Sequence, residues 1–91
     1  MASPKSPKWP PFSIIEDDEF LAQAQRVSGS IKAWDEVREF IDLYFARDPI
    51  KAGYKVPGMD LYVARLNTIP PHMLVYKVDS KKRQMILIAI D

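Results

Sequence analysis

Residues 59–91, MDLYVARLNTIPPHMLVYKVDSKKRQMILIAID, decide the fold of this 91-residue chain. They contain three short, mainly apolar segments: LYVARL (61–66), MLVYKV (73–78) and MILIAI (85–90). A turn with two prolines separates the first two segments, and the polar residues 79–82 separate the last two. Short apolar runs bounded by such turns are typical of β-strands. We therefore predict a meander of three strands at this end of the chain.

Two basic side chains interrupt these strands. Because side chains alternate along a strand, Arg65 falls on the same face as Val63. By the same rule Lys77 falls on the face of Met73 and Val75. A strand that only packed in a core would not need these cations. The pattern favours a sheet with one buried face and one face that meets an anion.

The third segment, residues 85–90, is apolar at every position. This is typical of a central strand that is covered on both faces. Upstream, residues 12–15 (FSII) form a short strand candidate. Asp17 or Asp18 can then begin a first helix as its N-cap.

A second helix is expected from about Ile31 to Ala46, with Ser30 as its N-cap. Asp48-Pro49 ends it, because proline disfavours a helical residue before it, and residues 51–58 are expected to be a loop. The order of elements is strand, helix, helix, strand, strand, strand. It predicts an α+β fold in which an N-terminal strand and a two-helix hairpin pack on an antiparallel sheet, β-α-α-β-β-β.

The length fits a single domain, residues 12–91, with one modest core. Residues 1–11, MASPKSPKWPP, are rich in proline and are expected to form a flexible arm. The chain has no cysteine, which excludes a disulfide scaffold. Its longest wholly apolar run is residues 85–90, whereas a membrane-spanning helix needs about 20 residues. We expect a cytoplasmic protein without membrane association.

Charge is unevenly distributed along the chain. Residues 12–46 contain eight acids against three bases, a net charge of −5. Residues 47–91 contain eight bases against four acids, a net charge of +4. This polarity suits a protein whose sheet meets phosphates and whose helices repel them. A surface whose charges serve only solubility explains it equally well.

Residues 58–90, GMDLYVARLNTIPPHMLVYKVDSKKRQMILIAI, resemble the core of the RelE/ParE toxin superfamily. Its members have a helical hairpin, a D-P break and a glycine-containing loop. Strands of the type G-x-x-x-Y-x-x-R-L and R-L-V-Y-x-V follow. The likeness spans roughly residues 12–91. It implies a toxin that a cognate antitoxin neutralises. RelE-type members cut messenger RNA in the ribosomal A site without a metal, whereas ParE-type members act on DNA gyrase.

The resemblance assigns site residues only in part. Two outward basic positions of the family match Val63 and Arg65, so that one cation is absent. The arginine that opens the next strand matches Met73, or His72 if the proline turn shifts the register by one. The reactive side chains of the RelE C-terminal tail have no counterpart beyond Asp91.

RNA cleavage through the 2′-hydroxyl needs a proton acceptor and cations that stabilise the phosphate. The candidate catalytic residues are Arg65 and His72, the latter being the only histidine. The candidate RNA- or phosphate-binding residues are Lys51, Lys55, Arg65 and Lys77. Each candidate also has an interpretation without function: the histidine can be an ordinary turn residue, and the basic residues can be solvated surface cations. Tyr54 could act as an acid or stack on a base, although a loop tyrosine that covers the core is favoured.

Three functions therefore stay open. The first is a RelE-like toxin that inhibits translation by cleaving ribosome-bound messenger RNA. The second is a catalytically degenerate relative that acts by binding only, as a ParE-like gyrase inhibitor or a protein-interaction module. The third is an RNA- or protein-binding α+β domain with no relation to toxins. No metal or cofactor is expected, and the oligomeric state is open.

Overall fold

The computed structural model describes residues 11–91, and all structural statements below concern this part of the chain. In chain order the elements are β1 (Ser13–Ile15), α1 (Asp18–Ser28), α2 (Ile31–Tyr44), α3 (Pro49–Ala52), β2 (Tyr54–Lys55), β3 (Tyr62–Leu66), β4 (His72–Asp79) and β5 (Gln84–Ile90). The predicted proline-rich arm, residues 1–11, lies outside the described residues except for Pro11. Within residues 11–91, no helix has the length and apolar character that crossing a bilayer requires.

Both helix starts follow from capping side chains. The Asp17 carboxylate accepts a hydrogen bond from the Phe20 amide at 2.7 Å and begins α1. The Ser30 hydroxyl accepts one from the Ala33 amide at 3.0 Å and begins α2. Between the helices, Gly29 ends α1 with a φ of 102°, a conformation that favours glycine. The predicted caps are therefore confirmed.

The sheet has five strands in the order β1-β5-β4-β3-β2. Strands β2 to β5 pair antiparallel, as predicted, whereas β1 pairs parallel with β5. The predicted antiparallel sheet is thus confirmed for β2 to β5, and the N-terminal strand joins its edge in parallel. Since β1 covers only residues 84–86 of β5, α1 lies along the rest of that edge. There the Ile90 amide donates to Gln23 Oε1 at 3.3 Å, so a side chain of α1 replaces a strand.

The segment predicted as a loop, residues 51–58, contains the end of α3 and the two-residue strand β2. Asp48 caps α3, and Pro49 is in its first turn, a position where proline is well tolerated. Strand β2 pairs antiparallel with β3. A strand of two residues is too short to show an alternating pattern, which is why the sequence does not reveal it.

Helices α1 and α2 cover one face of the sheet, the inner face, and the core lies between them. Trp34 of α2 packs edge-on against Phe20 of α1, with ring centroids 5.4 Å apart. The Trp34 indole donates to Glu16 Oε2 at 3.2 Å, and the other carboxylate oxygen of Glu16 lies 2.8 Å from Arg38 Nε. This carboxylate joins the β1–α1 connection to α2. The most deeply buried side chains of the sheet strands are Leu66, Leu74, Tyr76, Met85, Leu87 and Ile90.

A β-bulge in β5 explains its unbroken apolar sequence. Val75 pairs with Ala89, but the next residue, Tyr76, pairs with Leu87, so that Ile88 is the extra residue. The bulge shifts the alternation, and Leu87 and Ile90 both become buried although they are three positions apart. The helices cover only one face, and Ile88 is exposed. The expectation of a strand covered on both faces is therefore wrong.

Candidate nucleic-acid interface

The candidate site is the face of the sheet that points away from the core, here called the outer face. Its floor and its flanking residues are Tyr54, Val63, Arg65, Met73, Val75, Lys77, Ile86 and Ala89. Neighbours of these residues in β3 and β4, such as Ala64 and Leu74, point inward and are buried. The predicted alternation of β3 and β4 is thus confirmed, and Arg65 and Lys77 lie on one exposed face.

The first row of side chains across this face is Arg65, Met73 and Asp91. Arg65 pairs with Met73 in the β3–β4 register. Met73 and Asp91 exchange two backbone hydrogen bonds, of 3.0 and 2.9 Å. Residues directly opposite each other in a ladder share a face. Asp91 therefore brings an acid to the border of the outer face, two strands from Arg65.

The second row runs from Tyr54 through Val63 and Val75 to Ala89. It gives the outer face an apolar floor with an aromatic ring at one end. Tyr54 is 69% exposed. The expectation that Tyr54 covers the core is therefore wrong, because its pairing with Val63 turns the ring away from the core.

Lys77 belongs to a third row, in which it pairs with Ile86. It lies four positions along β4 from Met73, the partner of Arg65. With about 3.4 Å per residue and 4.8 Å between strands, the Cα atoms of Arg65 and Lys77 are about 14 Å apart. Both side chains are exposed and long, so they can contact neighbouring phosphates of one ligand.

A third cation borders the same face. Arg26 of α1 helps to line a shallow cavity of about 310 Å³, whose floor includes Met73, Val75 and Ala89. Arg26 is exposed, and α1 places it at the part of the β5 edge that β1 leaves unpaired. No feature of the α1 sequence distinguishes Arg26 from an ordinary solvated arginine, so only the packing of α1 on this edge reveals its position.

The structure does not bring all predicted phosphate-binding residues together. Lys51 is in α3. Lys55 pairs with Tyr62, and Ala64, two positions along β3 and therefore on the same face as Tyr62, is buried in the core. Alternation therefore directs Lys55 toward the helical side at the edge of the sheet. Both lysines are exposed, but they are separate from the outer face of Arg65 and Lys77.

His72 also points to the inner side. It pairs with Leu66, is only 7% exposed and lines a cavity of about 330 Å³ with α2 residues such as Glu36 and Phe40. A second, open cavity of about 370 Å³ at the end of β3 and β4 is bordered by both His72 and Arg65. The two predicted catalytic residues thus approach one cavity from opposite faces of the sheet.

Comparisons with known proteins agree with this architecture. No model of a known protein family matches the sequence, and no curated protein matches it either. Solved structures do match. One is a chain of the toxin–antitoxin complex RelBE2 from Mycobacterium tuberculosis, with 17% identity and a TM-score of 0.71, covering 92% of this chain and 93% of that chain. A mutant of the E. coli toxin RelE in the free state has 21% identity and a TM-score of 0.65, covering 88% of this chain and 81% of that chain.

The intact E. coli RelBE toxin–antitoxin complex also matches, with 20% identity and a TM-score of 0.62, covering 87% of this chain and 93% of the matched chain. These likenesses extend over nearly the whole domain. This chain has the RelE toxin fold. The fold that the strand motifs predicted is therefore confirmed.

The outer face of this chain differs from what the sequence resemblance implies. The resemblance implies basic residues at the positions of Val63 and Met73. Both positions do point outward, beside Arg65, but here they form an apolar floor. Lys77 provides a second cation on the same face. Among residues 11–91, no three side chains of His, Asp or Glu come together as metal ligands.

Proposed function

We propose that this protein is the toxin of a toxin–antitoxin pair and inhibits translation by acting on ribosome-bound messenger RNA through its outer face. The observation that carries the proposal is the pair of exposed cations, Arg65 and Lys77, on the open face of a RelE fold. Such cations over an apolar floor suit a polyanion that also has flat, apolar bases. The site of action would be the cytoplasm, where ribosomes are.

In this proposal Arg65 and Lys77 bind phosphates. The planar guanidinium of Arg65 can donate two parallel hydrogen bonds to one phosphate, whereas Lys77 acts as a point charge. If the RNA is cleaved, Arg65, which borders the same cavity as His72, would stabilise the pentavalent phosphate of the transition state. His72 would then have to reach the 2′-hydroxyl from its place at the open cavity beside Arg65. Lys51 and Lys55 would contact more distant parts of the RNA.

We also propose that a cognate antitoxin binds this protein. Two of the similar structures, from M. tuberculosis and E. coli, are toxin–antitoxin complexes. An antitoxin would be recognised as a small protein that suppresses growth arrest when it is co-expressed and that co-purifies with this chain.

Induced expression in a bacterial host tests the proposal. Growth should stop, and the incorporation of labelled amino acids should fall before DNA synthesis does. Arg65→Ala should relieve the arrest, because it removes a cation from the outer face. Arg47→Ala is the matched control, since Arg47 is an exposed arginine in the turn after α2. Normal growth at high expression of the unmodified chain would contradict the proposal.

A second function, binding without cleavage, is favoured by two observations. His72 is buried on the inner side, and apolar Val63 and Met73 occupy outward positions where the resemblance implies cations. A binding-only toxin could block the ribosome, or act on gyrase as ParE-type members do. Primer extension on messenger RNA from arrested cells separates the two functions. New 5′ ends that disappear with His72→Ala would rule out the binding-only function, and loss of gyrase supercoiling activity would point to gyrase.

A further inference from the structure

Among the residues that form the outer face, Tyr54 is the aromatic one, and two independent observations fix its orientation. Its partner in the β2–β3 register is the outward-pointing Val63. In addition, a Cβ atom on the preceding residue, Gly53, would overlap the inward-pointing Tyr76. Since side chains alternate along a strand, Tyr54 must point outward. The residue is 69% exposed.

The backbone around Tyr54 is held firmly in place. On one side, the Tyr76 hydroxyl donates to the carbonyl oxygen of Pro49 at 2.7 Å and ties α3 to β4. On the other side, the Val56 amide donates to the Leu61 carbonyl oxygen at 2.9 Å and closes the β2–β3 connection. A rigid backbone limits the entropy lost when an aromatic side chain binds a ligand.

Tyr54 also has a specific place relative to the cations. Its row lies between the row of Arg65 and the row of Lys77. From the spacing of residues and strands, its Cα atom is about 8 Å from that of Arg65 and about 12 Å from that of Lys77. A flexible single strand can therefore contact all three side chains at once.

We propose that Tyr54 stacks on an unpaired base of a single-stranded RNA whose phosphates contact Arg65 and Lys77. This inference rests on the proposed function and names a base-binding residue for it. Aromatic rings on an open β-sheet face commonly stack on splayed bases, and the apolar floor of Val63 and Val75 would accept the flat faces of neighbouring bases. Double-stranded RNA would be excluded, because its bases are already stacked on one another.

The chain contains a matched tyrosine that should not take part. Tyr44, near the end of α2, is 66% exposed, almost as much as Tyr54. However, its ring packs against Phe40 at 4.8 Å, and it follows the acidic stretch of α2 that includes Glu39 and Asp42. This negative surface repels phosphates. Exposure alone therefore does not distinguish the two tyrosines, whereas the surrounding charge does.

The test measures the affinity of the purified full chain for two RNAs by fluorescence anisotropy. One is a short single-stranded RNA, and the other is the same RNA with abasic positions. Removing a stacking side chain typically weakens binding by about 5- to 150-fold, and we expect Tyr54→Ala to fall in this range on the intact RNA. Tyr54→Phe and Tyr54→Trp should keep the affinity, since they keep an aromatic ring. Tyr44→Ala should not change it. On the abasic RNA, Tyr54→Ala should bind as well as the unmodified chain.

Salt dependence separates stacking from charge. Tyr54→Ala should leave the slope of log Kd against log salt unchanged, whereas Lys77→Ala should reduce it by about 0.7, the value for one phosphate on a single strand. If Arg65→Ala and Lys77→Ala weaken RNA binding but Tyr54→Ala does not, the inference is wrong while the proposed function stands. If Tyr54→Ala weakens binding of an antitoxin and not of RNA, the inference is also wrong.

Absence of any RNA binding by the unmodified chain at low salt would overturn the inference as well. The proposed function would then be decided separately by the growth-arrest experiment with Arg65→Ala. The two failures are therefore distinguishable, because one is read from RNA affinity and the other from growth and protein synthesis.

Discussion

The two faces of the sheet are built from the same strands but differ in burial and in their contribution to stability. On the inner face, Leu74 and Tyr76 are fully buried and pack in the core with Trp34. On the outer face, the alternate residues of the same strand include Met73, which is 44% exposed, and Lys77. The hydrophobic effect acts in proportion to buried apolar area. The inner face therefore supplies the stability, and the outer face is free to carry a ligand.

A substitution in the inner face should destabilise the protein most. Trp34→Ala should destabilise the domain by about 3–5 kcal/mol, because it removes a buried ring and its contact with Phe20. It also leaves the Glu16 carboxylate without the indole donor. Met73→Ala is the matched outer-face change and should cost less than about 1 kcal/mol. Urea unfolding monitored by circular dichroism measures the free energy of unfolding of both variants. Equal losses would contradict the conclusion that the inner face supplies the stability.

A smaller effect should appear where the inner face meets β2. Gly53→Ala should cost about 1–3 kcal/mol, because the new methyl group overlaps the Tyr76 side chain. The backbone of Gly53 is extended, so any residue could adopt it, and the cost is purely one of contact. Tyr76→Phe removes the nearest atom of that contact. The double variant should therefore be more stable than the sum of the two single changes predicts, and strict additivity would exclude this contact as the cause.

Alkaline pH offers a third way to probe the inner face. Burial, and to a smaller degree the neighbouring Tyr62 and Asp48, raise the pKa of the Tyr76 hydroxyl well above its ordinary value of 10.0. Above pH 10 the unfolded chain loses this proton while the folded chain keeps it. Stability is thus intact below that pH and falls by about 1.4 kcal/mol per pH unit above it. Denaturant midpoints in Tyr76→Phe should lack this component of the decline, and an unchanged decline would contradict the assignment.

Alternation along β3 and β4 was enough to predict both faces. Arg65 and Lys77 were placed on one face by position alone, and the register confirms it. Applied to His72, the same rule places it on the side of Leu74, which is buried, whereas its prediction as a catalytic residue rested on its chemistry alone. The face of the sheet on which a histidine lies is set by its position along the paired strand, and the reactivity of its side chain has no influence on that face.

Other features were invisible because they depend on long-range pairing. The parallel direction of β1 is decided by its partner β5, which lies at the other end of the chain. The bulge at Ile88 hides the alternation of β5 and makes it look like a fully covered strand. Tyr54 looked like a loop residue, since β2 is formed only by its pairing with β3. These are properties of the assembled sheet, and local sequence does not encode them.

Substitutions of the two outer-face cations should change stability least. Arg65→Ala and Lys77→Ala should each change the free energy of unfolding by less than about 0.5 kcal/mol, since both side chains are exposed. The same two changes should reduce RNA binding and the salt dependence of that binding. Urea unfolding and RNA titration of the same purified samples give the two quantities side by side. A loss of stability equal to that of a core variant would mean that these cations support the fold, and the growth-arrest result for Arg65→Ala would then need to be attributed to unfolding. If stability is unchanged and RNA binding is lost, the two cations of the outer face contribute to RNA binding and not to the stability of the fold.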